Sequence, residues 1–171
     1  MDAFRSFGDR CAHHGYTLAS LADLTQEPHH QEKLALLLCE VFTATHGINP
    51  PRLMDLQGWI DVLHNDPPSE VGSYVALHGA EYIAMSTAHQ DEPDRLSLGW
   101  RGVAKAHRHH ERDLMVALTL AHISHAAGHG AEILAGEFDT TDPWAMMQLG
   151  AFPFQAAPCW LTFQRLSTKS L

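Results

Sequence analysis

The stretch His107 to Leu118, HRHHERDLMVAL, packs three histidines and two arginines beside two acids and runs directly into an apolar pattern of helical spacing. Such a segment offers three chemistries. Imidazoles can ligate a transition metal, cations at a helix start can hold phosphate, and mixed charges can simply solvate the start of a helix. Because His107, His109 and His110 interleave with Arg and Glu, the residues by themselves read as a solvated, pH-sensitive helix start. A second set, His122, His125 and His129, stands at i, i+3 and i+7, along one helix face. With a converging fourth ligand it could bind zinc or nickel. No Cys or carboxylate lies near it at ligand spacing, so it reads as a polar outer face and no metal site is expected. His13-His14 and His29-His30 fall in surface segments and receive no role. Trp59 and Trp160 follow apolar periodicity and read as core, whereas Trp100 and Trp144 are open between packing and lining a pocket.

These residues need elements to position them. Gly15 to Leu24, GYTLASLADL, alternates between apolar and small polar residues and is expected to be a first strand with its exit. Glu27 to His46 places Leu34, Leu37, Leu38, Val41 and Phe42 at helical spacing, and Arg52 to His64 does the same with Leu53, Leu56, Trp59, Ile60 and Leu63. NDPPSEVG at Asn65 to Gly72 is a turn-rich connector. Ser73 to Leu77 and Tyr82 to Ala88, joined by HGAE, form a hairpin, and Arg95 to Val103 adds a third strand after the DEPD turn. Leu114 to Ala127 is a helix stopped near Gly128 and Gly130. Glu132 to Gly136 reads as a buried strand, Asp142 to Leu149 as a short helix with an Asp cap and Pro in its first turn, and Cys159 to Leu166, CWLTFQRL, as a closing strand.

At 171 residues the chain suits one domain, residues 1 to 171, with a sizeable core. A hydrophobic share of 45% and a charged share of 18% fit a globular protein, and no apolar run is long enough to span a membrane. The start lacks the apolar core of an export signal, which points to a cytoplasmic location. Cys11, Cys39 and Cys159, odd in number and scattered, fit reduced thiols. A formal charge of −9 with only 11 Lys and Arg argues against a nucleic-acid surface.

The element order and several local stretches resemble the GNAT superfamily of acetyl-CoA-dependent N-acetyltransferases. RGV at Arg101 to Val103 looks like the end of its fourth strand, and LMVALTLAHISHAAGHGAEI at Leu114 to Ile133 like its central helix and fifth strand. LGAF at Leu149 to Phe152 looks like its Leu-Gly-Phe signature with one residue inserted, CWLTFQRL like its closing strand, and GYTLASLADL like its opening. The resemblance implies a mixed α/β fold with a mostly antiparallel sheet, splayed at the centre and flanked by helices. It implies acetyl-CoA as co-substrate, entering between the fourth and fifth strands. Gly102 and Val103 would offer strand N–H groups to the donor. His110, Glu111, Arg112, Asp113, Leu114 and Met115 would occupy the pyrophosphate loop, with Arg108 as an alternative basic residue. That loop departs from the family pattern: Glu111 and Asp113 stand where small residues are usual, and each would cost on the order of 1 kcal/mol beside a phosphate.

The resemblance further implies an acceptor that is a primary amine of a small molecule or a protein, and it allows a homodimer. Glu137 and His89 are the candidate general bases. Met146 stands where the family often carries a proton-donating Tyr, so a tyrosine acid would have to come from Tyr74 or Tyr82. The acids in the loop and Met146 also fit a second class, a GNAT-fold partner module that binds acetyl-CoA weakly or not at all.

Overall fold

The computed structural model describes residues 2–46 and 50–155; the expected closing strand, with Cys159 and Trp160, lies outside them. Five strands form one sheet in the order β1-β2-β3-β4-β5. They are β1 Tyr16–Ser20, β2 Tyr74–His78, β3 Glu81–Glu92, β4 Arg95–Val103 and β5 Ile133–Gly136. The first four pair antiparallel, and β5 lies parallel to β4. Gly79, at φ +62, makes the tight hairpin between β2 and β3 that its lack of a Cβ permits.

The helices are α1 Asp2–His13, α2 Leu21–Leu24, α3 His30–Thr45, α4 Leu56–Asn65, α5 Glu111–Gly128 and α6 Pro143–Ala151, with a 3-10 turn over Lys105–His110. The apolar spacing seen in the sequence buries Leu34, Leu37, Leu38 and Val41 of α3, Trp59 and Leu63 of α4, and Leu114, Met115 and Leu118 of α5. Together with Val75, Ile83, Met85 and Val103 of the strands, they form a single core. A crossover through α5 is required, because parallel strands cannot be joined by a tight turn.

Four expectations are corrected. Helix α1 was not foreseen; Phe4, Phe7 and Cys11 have helical spacing, but the charges between them mask it. Leu53 is 98% exposed and Leu56 is 37% exposed, because α4 begins only at Leu56. Asp55 caps it by accepting the Gly58 N–H at 2.9 Å, so Leu53 precedes the helix and has no face to bury. Strand β5 is not fully buried: Ile133 is 47% exposed and the residues after it are half-buried. The short helix α2 replaces the end of the expected first strand, since Ser20 and Asp23 form a reciprocal capping box there.

Candidate active site

The site is built on the divergence of β4 from β5. Their parallel pairing runs from Arg95↔Ile133 to Leu98↔Gly136 and stops, while β4 continues to Val103. At that point β4 carries an extra residue: Leu98 pairs with Ala88 and Arg101 with Ser86, so Gly99 and Trp100 together oppose Thr87. A bulge of this kind turns a strand and re-aims its groups. Beyond it, the Ala104 N–H donates to the Ile83 C=O at 2.8 Å. In an antiparallel ladder this makes Ala84↔Val103 a non-hydrogen-bonded pair, as is Ser86↔Arg101 two residues earlier. The N–H and C=O groups of Arg101 and Val103 therefore point away from β3, into the gap that β5 leaves. Those of Gly102 point back toward Met85. The register thus turns the N–H groups of Arg101 and Val103, rather than that of Gly102, toward the gap.

Arg101, named in the sequence only as part of the RGV stretch, spans the gap. Its guanidinium donates to the Gln148 Oε1 at 2.9 Å and to the Glu137 C=O at 2.8 Å, and its Nε lies 3.7 Å from Asp142. Gln148 passes the network on to Thr119 of α5 at 2.8 Å. Burial lowers the Arg101 pKa, and Asp142 and Glu137 offset that shift. Asp142 also caps α6 by accepting the N–H groups of Trp144 and Ala145. One carboxylate thereby fixes both the helix and the guanidinium that holds it to β4.

Trp144 resolves as packing rather than pocket wall. It is 1% exposed and its indole lies across Gly102, where a Cβ would sit 2.5 Å from the ring and 2.7 Å from Val41. Its Nε1 donates to Glu111 at 3.1 Å, and the Arg108 guanidinium lies 5.4 Å over its ring while donating toward the Val103 C=O. Asp113 accepts two hydrogen bonds from Arg10 of α1, both 2.9 Å, which hold its carboxyl below the usual range. Both acids of the expected phosphate loop are thus engaged. The Glu111 N–H donates to the Arg108 C=O, and Glu40 accepts the Lys105 N–H, so a glycine cradle is replaced by a closed 3-10 turn. No side chain caps α5, and the carboxylates of Glu111 and Asp113 in its first turn offset the partial positive charge of the helix start. Among the other residues expected there, Arg112 is exposed, His110 half-buried, and Leu114 and Met115 are core.

The candidate bases separate. Glu137 is exposed, and what holds its segment is its own C=O, bound by Arg101. His89 lies over the bulge: its Nε2 would be 2.9 Å from a Cβ on Gly99, and its ring stands edge-on to Trp100 at 5.9 Å. Its Nδ1 faces Asp66, just past α4, at 3.5 Å. The carboxylate orients the ring and leaves Nε2 toward the strand. Tyr82 is committed elsewhere, hydrogen-bonded to His30 at 2.8 Å with its hydroxyl pushed up to about 12 mainly by burial. Met146 is 39% exposed.

His122 corrects the expectation of an outer face. It is fully buried, with Nδ1 2.8 Å from the Gly72 C=O and Nε2 2.9 Å from the Ser86 Oγ. Burial lowers its pKa to about 4, so it stays neutral. Among the described residues no group of His, Cys, Asp and Glu is arranged to hold a metal ion, and no helix is long and apolar enough to cross a membrane.

No protein-family model and no curated protein sequence matches the chain. Solved structures do. An aminoglycoside acetyltransferase, meta-AAC0020, from an uncultured soil metagenomic sample and in complex with sisomicin, superposes with a TM-score of 0.58 at 14% identity. The match covers 90% of this chain and 97% of that one. Ard1 from Thermoplasma volcanium matches with a TM-score of 0.58 at 13% identity over 84% of this chain and 85% of that one. Diaminobutyrate acetyltransferase EctA from Paenibacillus lautus, in complex with L-2,4-diaminobutyric acid and coenzyme A, gives 0.54 at 14% identity, covering 80% and 74%. The sheet, its splayed centre and its crossover helix are those of the GNAT fold.

Proposed function

We propose that the protein is a GNAT-type N-acetyltransferase that moves an acetyl group from acetyl-CoA to a primary amine of a small molecule or a protein. The observation that carries this reading is the bulged, diverging end of β4, whose Arg101 and Val103 backbone groups face the gap in a fold shared with acetyltransferases. An extended donor arm can pair with such a strand edge as a further strand would. The fit has two parts. The strand edge suits the arm, and Lys105, Arg108 and Arg112 near the start of α5 suit its phosphates without a glycine cradle.

The chemistry needs little more than position. The amine attacks the carbonyl carbon of the thioester, a β4 N–H polarises the carbonyl oxygen, the C–S bond breaks, and the departing thiolate takes up the proton that the new amide nitrogen sheds. His89, oriented by Asp66, takes the proton that the incoming ammonium must lose. Glu137 is the second candidate for that role, from the far side of the gap. A hollow of about 420 Å³ lined by Phe42, His46, Arg52, Met54 and Trp59 can seat the acceptor. The protein's net charge of −9 suits a cationic one. A cytoplasmic location and a homodimer accompany this reading.

Calorimetric titration with acetyl-CoA tests it, with binding in the micromolar range expected. No heat at millimolar acetyl-CoA would overturn the enzymatic reading and leave a partner module. With an accepted amine in hand, His89→Gln should lower kcat about 10²-fold while leaving acetyl-CoA affinity within a factor of about 2. Equal loss in Glu137→Gln and none in His89→Gln would move the base to Glu137.

A further inference from the structure

The hollow of about 420 Å³ beside the end of α3 has walls of a particular chemistry. Phe42, in the last turn of α3, and His46, just past its end, stack face to face, with ring centroids 3.7 Å apart and 5° between the planes. Trp59 of α4 meets the Phe42 ring edge-on at 5.7 Å, and Met54 adds a polarisable thioether to the same lining. The imidazole is held in one orientation. Its Nδ1 lies 2.9 Å from the Phe42 C=O and 2.9 Å from the Thr45 hydroxyl oxygen, which itself donates to the Phe42 C=O at 3.1 Å. A carbonyl can only accept, so Nδ1 carries the hydrogen, and the Nε2 of a neutral ring keeps a lone pair.

Charge is distributed unevenly around the hollow. Among the described residues that line it none is Asp or Glu, whereas Arg52 is exposed and has no carboxylate partner among the described residues. The acids lie beyond His46. The Thr141 N–H and hydroxyl hold the Asp139 carboxyl below its usual range, and His46 is close enough to add to that shift. Asp139 follows Glu137, whose C=O Arg101 holds on the far side of the gap. His46 thus marks the end of the hollow that faces the acid-bearing segment across the gap.

We propose that this hollow binds a small aromatic amine bearing a carboxylate, with the chemistry of an aromatic amino acid, as the acceptor. As an acceptor assignment this rests on the acetyltransferase reading, whereas binding in the hollow can be measured without it. The flat apolar body packs against Phe42, Trp59 and Met54 in the edge-on or offset contacts that aromatic rings favour. The ammonium donates to the His46 Nε2, at the end where Asp139 and the net charge of −9 favour a cation. The carboxylate pairs with the Arg52 guanidinium, a planar fork that matches its two oxygens. A polyamine fits poorly: its further charges would meet apolar walls and Arg52, with no acid on the lining to pair them.

The test is calorimetry of the full chain with L-phenylalanine, L-phenylalaninamide and spermidine, each with and without coenzyme A. L-Phenylalanine is expected to bind about tenfold tighter than spermidine, or better. Arg52→Gln, at an exposed position, should weaken L-phenylalanine about fivefold and leave L-phenylalaninamide, which lacks the carboxylate, within a factor of about 2. Circular dichroism establishes that the variant folds. No heat at millimolar L-phenylalanine, spermidine binding as tightly, or equal losses for acid and amide in the variant overturns the proposal. Binding of L-phenylalanine by a chain that binds no acetyl-CoA supports the site and removes the transferase reading; acetyl-CoA binding without L-phenylalanine binding does the reverse.

Discussion

Helix α5 is preceded by one kind of histidine and carries another about three turns on. At its start, half-exposed His110 sits in a cluster of rings with His14 and His109. Further along, His122 is fully buried between the Gly72 C=O and the Ser86 hydroxyl and is held neutral. Residue type and spacing are alike; the surroundings differ. A ring with both nitrogens satisfied inside the core acts as a packing element that joins α5 to β3 and to the segment before β2. A ring facing other rings and water is packed only in part. The comparison teaches that a histidine's role follows from the dielectric and the partners that the fold supplies, and only weakly from its position on a helix.

The most direct way to break the comparison is to truncate both. His122→Ala should cost roughly 3–4 kcal/mol, because it opens a cavity and strips the Ser86 hydroxyl and Gly72 carbonyl of their partner. His110→Ala should stay within about 0.5 kcal/mol at about pH 8. Urea midpoints decide it, and equal losses would mean that the cluster is structural as well.

Next in size is the acid limb of stability. The His122 pKa is lowered from 6.5 to about 4 in the folded state, so the unfolded chain binds the proton first. Stability from this group is complete above pH 6.5 and falls as pH drops toward 4, by roughly 3 kcal/mol at most. Chemical denaturation at stepped pH should show that decline, and a flat profile through the window would mean that His122 is more accessible than its burial indicates.

The smallest effect concerns the neighbouring gap. Gly102 holds φ +156 beneath the Trp144 ring, a conformation and a distance that a Cβ disturbs. Gly102→Ala should cost about 2 kcal/mol, and Trp144→Ala in the same chain should recover part of it. Strict additivity of the two substitutions would show that the indole does not rest on that strand.

Much of the fold was legible in the sequence. The apolar spacing of α3 and α5, the β2–β3 hairpin and the limits of β4 follow from periodicities that the backbone imposes locally. Helix α1 was hidden because charged residues interrupt its apolar positions, and the start of α4 was set by the Asp55 cap rather than by the leucines before it. The site was legible in place but less so in detail. The HRHHERDL stretch does lie at the start of the crossover helix, yet Glu111 and Asp113 are engaged by Trp144 and Arg10, residues 33 and 103 positions away.

By itself, then, the sequence determined where the chain turns helical or extended and which faces are apolar, because those depend on neighbours within a few residues. Only the tertiary structure decided that Arg101 rather than Gly102 turns its backbone to the gap, that His89 meets Asp66, that His122 is core, and that His14 comes to lie against His110. Those outcomes rest on strand register, a one-residue bulge and long-range packing, and no local pattern records which segments will come to lie side by side.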